Sequence, residues 1–533
     1  MSSARRHGSF ASPARASASL IRTTSGSRRS LRTIASVHSA APATGAFGSE
    51  RDLGRRALDT ARTRGASYAD VRFVRREVED AQVKNGALEN VDRVDSLGFG
   101  VRAIADGAWG FAASPVVTAA EADRVAALAV EVARASALTK RDAARLAPVQ
   151  PVTATWRSPV AKDPFAMSFD DRLALLLRAD AAMRAQQPKL RTTRAAYEIW
   201  RESKLFLSSE GADIAQTITE TGCSISAESV GDGEQQVRSY PASGGRSQGQ
   251  FGWEFAERWD LVGNAPRIAD EAMALLTATP CPQDLRTTVI LSGNQTMLQV
   301  HESCGHPIEL DRALGTEAAF AGTSFLTPDT LGSLRYGSEA VSMRIDSTTP
   351  GGLGTFAYDD EGVPASEGWA VKDGLFVGYL MSRETAAALG KASNGTMRAD
   401  GWARLPLIRM TNVSLMPGAA GTLADLVADT DEGIYMDTNR SWSIDDRRFN
   451  FQFGTQIGWL IKGGKLTEMV RNPTYTGITP EFWGSCDAVC SDSEWFIWGT
   501  PNCGKGQPSQ VGHTGHGAAP ARFRNVRVGV IRA

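Results

Sequence analysis

No apolar run in this chain approaches the length of a membrane span, so nothing in it reads as a membrane-spanning helix. Six cysteines in 533 residues are too few for a disulfide framework and are compatible with a reducing compartment. A net charge of −1 removes any electrostatic argument for nucleic acid or acidic lipid as a partner. Acidic side chains are missing altogether from residues 1–49, which are instead rich in Ser, Ala and Arg. That leader reads as a disordered tail or an over-extended start. Ser27-Arg28-Arg29-Ser30-Leu31-Arg32 also looks like a twin-arginine signal, although the following Thr33 to Phe47 makes a poor hydrophobic region. An organelle transit peptide is the third possibility for such an Arg-rich, acid-poor stretch. The expected location is cytoplasmic, with export as the alternative, and fold reasoning starts near Glu50.

What remains is globular in composition and too long for one core, so at least two domains are expected. Helical periodicity marks Asp52 to Arg64, Thr118 to Ser136, Phe169 to Gln186 and Ala265 to Thr279. Strand-like runs are LGFGVRAIA and WGFAAS, joined by Asp106-Gly107, a strong hairpin signal. Leu190 to Ser226 continues the alternation, with Gly211 at a turn. The expectation is an α+β protein. Residues 50–283 form helices on an antiparallel sheet, and residues 284–533 form a mostly β domain that carries one chemically distinctive helix.

That helix follows Thr287 to Leu291, a short buried strand by composition, and Asn294 is its expected N-cap. It carries His301-Glu302-x-x-x-His306. Histidines four apart share a helical face, as in H-E-x-x-H zinc sites. Five residues advance roughly 500°, so these two diverge by about 140° on a straight α-helix. They converge on one ion only if the helix widens or ends between them. Gly305 weakens the helix there and Pro307 biases His306 away from helical geometry, which predicts a bulged or unwound turn at Ser303 to His306. Two neutral imidazoles suit zinc, with iron or nickel open on ligand type alone, and Glu302 is placed to exchange a proton with a water on the ion.

A third ligand is needed. The glycine-rich PNCGKGQPSQVGHTGHGAAP offers Cys503, whose thiolate would complete the site and leave one position for water. His513, His516, Glu309, Cys304, Cys486 and Cys490 are rivals, and Cys486 and Cys490 could instead pair with each other or form a structural site with Cys503. Asp359-Asp360-Glu361-Gly362 reads as a solvated turn, because it lacks the spaced pattern of a calcium loop.

HESCGHPIELDR, DDEGVP, RMTN at Arg409 to Asn412, CGKGQP and RNVRVG, in this order, resemble the TldD/PmbA family of metalloproteases from about Glu50 onward. The resemblance implies a metallopeptidase of the TldD type, with His301, His306 and Cys503 as ligands to one divalent ion, most simply Zn2+. It implies Glu302 as catalytic base and Glu309 as a group that steadies a ligand imidazole, with His513 and His516 as further candidates for metal or substrate. It also implies short or unfolded peptides as substrates, leader-peptide trimming among them, and a homodimer or a heterodimer with a motif-less PmbA/TldE-like subunit. Two other readings stand beside it: a non-catalytic partner subunit with a structural metal, and a thiol hydrolase using Cys503.

Overall fold

A computed structural model of the protein describes residues 47–231, 233–243, 247–320 and 322–529. The expectations placed on residues 1–46 lie outside these. The architecture is α+β, with three main β-sheets among the described residues.

The first sheet is almost wholly antiparallel and is built from the long strands Tyr68–Lys84, Ala87–Ala105, Thr192–Ser208 and Asp213–Gly231. Asp106 and Gly107 both adopt positive φ, 51° and 75°, which matches a hairpin turn that feeds the right-handed twist of its strands. Odd-numbered Val71, Phe73, Ala81 and Val83 point to one face, where the helices Gly48–Thr63, Ala119–Ala137, Phe169–Gln186 and Leu261–Ala274 cover them. Thr118 and Ser168 cap two of these helices by accepting from the backbone N–H groups of Glu121 and Asp171.

The other face of this sheet carries even-numbered polar residues that are nevertheless buried. Arg72 pairs with Asp360 at 3.4 Å, Lys204 with Asp360 at 2.5 Å, and Arg102 with Glu361 at 3.6 Å. The solvated turn expected at residues 359–362 is therefore wrong: Asp359, Asp360 and Glu361 are all buried. The correction has a plain cause. Cations on the sheet neutralise two of the carboxylates, and Asp359 accepts backbone N–H bonds from Glu361, Val363 and Met397.

Beyond this interface the chain is mostly β. Leu285–Leu291 lies in the second sheet, parallel to Glu432–Ile444 and antiparallel to Ala521–Val528. In the third sheet, Phe496–Lys505 is the edge strand and pairs with Gln510–Ala518, which runs beside Asn412–Leu415. Leu375–Phe376 is a short strand of the same sheet, paired with Glu367–Lys372. No helix among the described residues is long and apolar enough to cross a membrane.

Candidate metal centre

The helix Gly293–Val300 leaves the end of the Leu285–Leu291 strand. Its N-cap is Ser292, not Asn294: the Ser292 hydroxyl accepts from the N–H of Gln295. The helix then widens into a π-turn over His301–Gly305, closed by a 3.2 Å bond from the N–H of His306 to the carbonyl of His301. The widening begins at the first histidine, two residues earlier than the sequence implied. It brings positions five apart onto one side, so the two imidazole centroids lie 4.9 Å apart. The turn is held from outside. Tyr336 donates to the Ser303 carbonyl at 2.9 Å and Trp483 Nε1 to the Ser303 hydroxyl at 2.9 Å. A Cβ on Gly305 would collide with the sulfur of buried Met410.

Cys503 arrives from the edge strand. A register shift between Thr500 and Cys503 re-aims it, and Cys503 Sγ lies 3.7 Å from His306 Nε2. Arg409, from the RMTN motif, donates to the Cys503 carbonyl and fills the space left by side-chain-free Gly512. His301, His306 and Cys503 are all buried, and their ligand atoms lie within 4.8 Å of one another. They are the one such cluster of His, Cys, Asp and Glu found among the described residues.

Partners behind each imidazole fix its tautomer. Glu309 Oε2 lies 3.2 Å from His306 Nδ1, which leaves Nε2 as the free lone pair. Glu309 is itself buried against Lys505 at 3.4 Å and Arg312 at 3.4 Å. Burial alone would raise its pKa, but Lys505, His306 and Arg312 hold it well below the ordinary 4.5. His516 Nδ1 lies 2.8 Å from the Val413 carbonyl, which can only accept, so His516 Nε2 must be the acceptor. It takes the proton of His301 Nδ1 at 2.7 Å and leaves His301 Nε2 free.

Burial pushes the pKa values of His301 and His306 down, so both are neutral near pH 7. For Cys503 burial acts upward, but the positive charge of His306 when it carries the proton, together with that of Arg409, outweighs it, and the thiol lies below its usual 9.0. Neutral imidazoles and a thiol biased toward thiolate are the states that a metal ion requires of its ligands, so this donor set fits a divalent ion.

His513 lies elsewhere. Three positions separate it from His516, and an odd offset on a strand puts side chains on opposite faces. It pairs with Glu220 at 2.7 Å and packs on Trp200. Burial would lower its pKa, but Glu220 prevails and raises it. Cys304, Cys486 and Cys490 sit in the hydrophobic core as free thiols, and burial pushes each up to about 12.

A cavity of about 300 Å³ opens onto the cluster, lined by His301, Glu302, His306, Trp442, Arg448 and Cys503 among others. Glu302 Oε2 lies 2.6 Å from Arg448 Nη1. Sequence reasoning missed Arg448, Lys505 and Arg312. Lys505 lies inside the quoted CGKGQP, but its partner Glu309 is nearly two hundred positions away.

Comparison with known proteins finds relatives described as metalloproteases. Family models described as PmbA/TldA metallopeptidase domain 1, central domain and C-terminal domain match residues 69–133, 162–278 and 285–530. A metalloprotease of Methanocaldococcus jannaschii is 28% identical over 449 residues, covering 84% of this chain and 94% of that protein. A Synechocystis metalloprotease is 29% identical over 466 residues, covering 87% and 95%. A protein of Saccharolobus solfataricus described as a zinc metalloprotease TldD homolog is 27% identical over 229 residues, covering 43% and 48%. The crystal structure of TldE from Thermococcus kodakarensis superposes with a TM-score of 0.71 at 15% identity, over 90% of this chain and 100% of that one, a likeness of fold. Because the three models together account for most of its length, the chain belongs to the TldD/PmbA family of metalloproteases.

Proposed function

We propose that this protein hydrolyses short or unfolded peptides with one divalent ion, zinc, held by His301, His306 and Cys503, and with Glu302 as the proton-transfer group of an H-E-x-x-x-H motif. One observation carries the proposal: three ligand atoms within 4.8 Å of one another, on residues that line one cavity together with Glu302. Two imidazoles and a thiolate are a donor set that favours zinc, and three protein ligands leave a coordination position open, as in catalytic sites. When bound, such an ion supplies water acidification and polarisation of a carbonyl oxygen.

The chain's own groups do the rest. Glu302 follows His301 directly, which makes it a poor partner ligand but leaves its carboxylate at the cavity wall. It takes a proton from the attacking water and returns it to the leaving amine. Glu309 and His516 hold the two imidazoles in the required tautomers. The edge strand Phe496–Lys505 lines the cavity with Gly499, Thr500, Asn502 and Gly504, which suits a substrate laid alongside as an extended strand. Recognition of that kind reads backbone and tolerates many side chains.

The same proposal includes a boundary near residue 283, between the sheet of long strands and the β-rich remainder. It includes a homodimer or a pair with a TldE-like subunit, supported by the likeness to a TldE fold. The free cysteines accord with a cytoplasmic setting.

The test is metal analysis of the purified protein, with peptide cleavage before and after chelation. Activity should vanish with the ion and return with zinc. Glu302→Gln should keep the ion and lose turnover, and Cys503→Ser should lose the ion. Cleavage that survives complete chelation would end the proposal.

A further inference from the structure

We propose that Arg448 is a second catalytic residue of this centre: paired with Glu302 at rest, it turns to the carbonyl oxygen of the scissile bond as Glu302 is protonated. The inference rests on Glu302 as the proton-transfer group.

Four observations lead to it. Arg448 is the only lysine or arginine among the described residues that line the cavity. Its Nη1 holds Glu302 at 2.6 Å, so its charge already sits where the reaction begins. Its Nε is buried and has no hydrogen-bond partner among the described residues, so the guanidinium is not fully spent on its present contacts. Its backbone has φ +64° in the short hairpin loop that joins Glu432–Ile444 to Asn450–Lys462, so the turn fixes where its side chain starts. The Arg448 N–H donates to the Asp445 carbonyl, Thr479 donates to the Arg448 carbonyl, and the N–H groups of Thr323 and Phe325 clamp Asp446 and Arg447. A hydrogen-bonded hairpin tip thus delivers one cation to the cavity.

The charge balance explains the pairing. When Glu302 takes a proton from the attacking water, its negative charge is cancelled. The oxygen of that water forms a bond to the carbonyl carbon, and the C=O π pair moves onto the carbonyl oxygen. One negative charge thus leaves Glu302 as another appears on the substrate, and Arg448 follows it without a change in the number of ion pairs. When the tetrahedral carbon collapses, the C–N bond breaks, the amine takes the proton from Glu302, and the original ion pair re-forms. The resting pair holds Glu302 ionised and aimed; the displaced guanidinium is then spent on the transition state, where it contributes to rate.

The experiment compares the full chain with Arg448→Met and Arg448→Lys, using a fluorogenic peptide that the wild type cleaves and a phosphinic peptide that mimics the tetrahedral anion. Arg448→Met should lower kcat by about 100- to 1,000-fold, with KM within about threefold and ion content unchanged. Affinity for the phosphinic peptide should fall by a similar factor. Affinity for the ordinary peptide, measured in a Glu302→Gln background, should fall less than about threefold. Arg448→Lys should recover at least about tenfold of the lost kcat. An unchanged kcat, a rise in KM alone, or equal weakening of both ligands would overturn the inference. If Arg448→Met loses its ion or its fold, Arg448→Lys is judged by the same two ratios. Turnover by Glu302→Gln would instead remove the proton-transfer role of Glu302, whereas the phosphinic peptide reports on Arg448 in either case.

Discussion

Gly305→Ala offers a test in which two physical effects predict opposite signs. Gly305 does not sit in the left-handed region, so alanine is conformationally permitted there. By backbone entropy alone the substitution should stabilise the π-turn by about 0.5–1 kcal/mol. Packing argues the reverse. The added Cβ would overlap Met410 Sδ and lie 3.2 Å from Met410 Cγ and 3.4 Å from its Cε. Met410 is fully buried, so its side chain cannot swing into solvent. Overpacking of this kind costs about 1–3 kcal/mol. The net for Gly305→Ala should be destabilisation of roughly 0–2.5 kcal/mol, the difference of those two ranges. Met410→Ala alone should cost about 2–5 kcal/mol for the void it leaves. In the Met410→Ala background the obstruction is gone, and Gly305→Ala should then stabilise by about 0.5–1 kcal/mol. Calorimetry of the four metal-free chains measures this sign reversal. If Gly305→Ala stabilises in both backgrounds, or destabilises equally in both, the contact with Met410 does not govern this position.

Three further predictions concern other parts of the molecule. His516→Leu should weaken zinc binding by about 10- to 100-fold, measured by competition with a chromophoric chelator, because His301 loses the acceptor that fixes its tautomer; wild-type affinity would refute the relay. Asp360→Asn should destabilise the fold by about 3–5 kcal/mol, since Arg72 and Lys204 would lose their shared buried counter-charge; a loss under about 1 kcal/mol in denaturant titrations would refute it. The raised pKa of His513 makes a stabilising contribution that is fully present below pH 6.5 and is lost as pH rises through the folded value. His513→Gln should therefore flatten the fall in stability as pH rises above about 6.5, and an unchanged slope would remove Glu220 as its cause.

Much of the centre was legible in residue order. Gly305 and Pro307 made a straight α-helix untenable, and the need for two converging histidines demanded a wider turn. The helices over the first sheet announced themselves by periodicity. What escaped was set by distant partners. Asp359, Asp360 and Glu361 look like a wet turn until Arg72 and Lys204, from strands of another sheet, lie beside Asp360. The choice of third ligand depended on a register shift near Thr500 that no local signal specifies. His513 and His516 could have been separated by strand parity alone, had the tail been read as a regular strand. Asn85-Gly86 is a hairpin signal as strong as Asp106-Gly107, with φ of 50° and 84°. It was easy to pass over because Ala87 to Asp95 is exposed and charged, with little apolar alternation around it.

An ion shared by His306 and Cys503 would join positions 197 apart in the chain. Cross-linking a ring of that size removes roughly 5 kcal/mol of freedom from the unfolded chain, so zinc would act as a staple for the β-rich region as well as a reagent. The same span has a consequence during synthesis. With that site, a nascent chain that has displayed both histidines would still lack its third ligand, and would act on no neighbouring polypeptide until the cysteine had been made and threaded into its sheet.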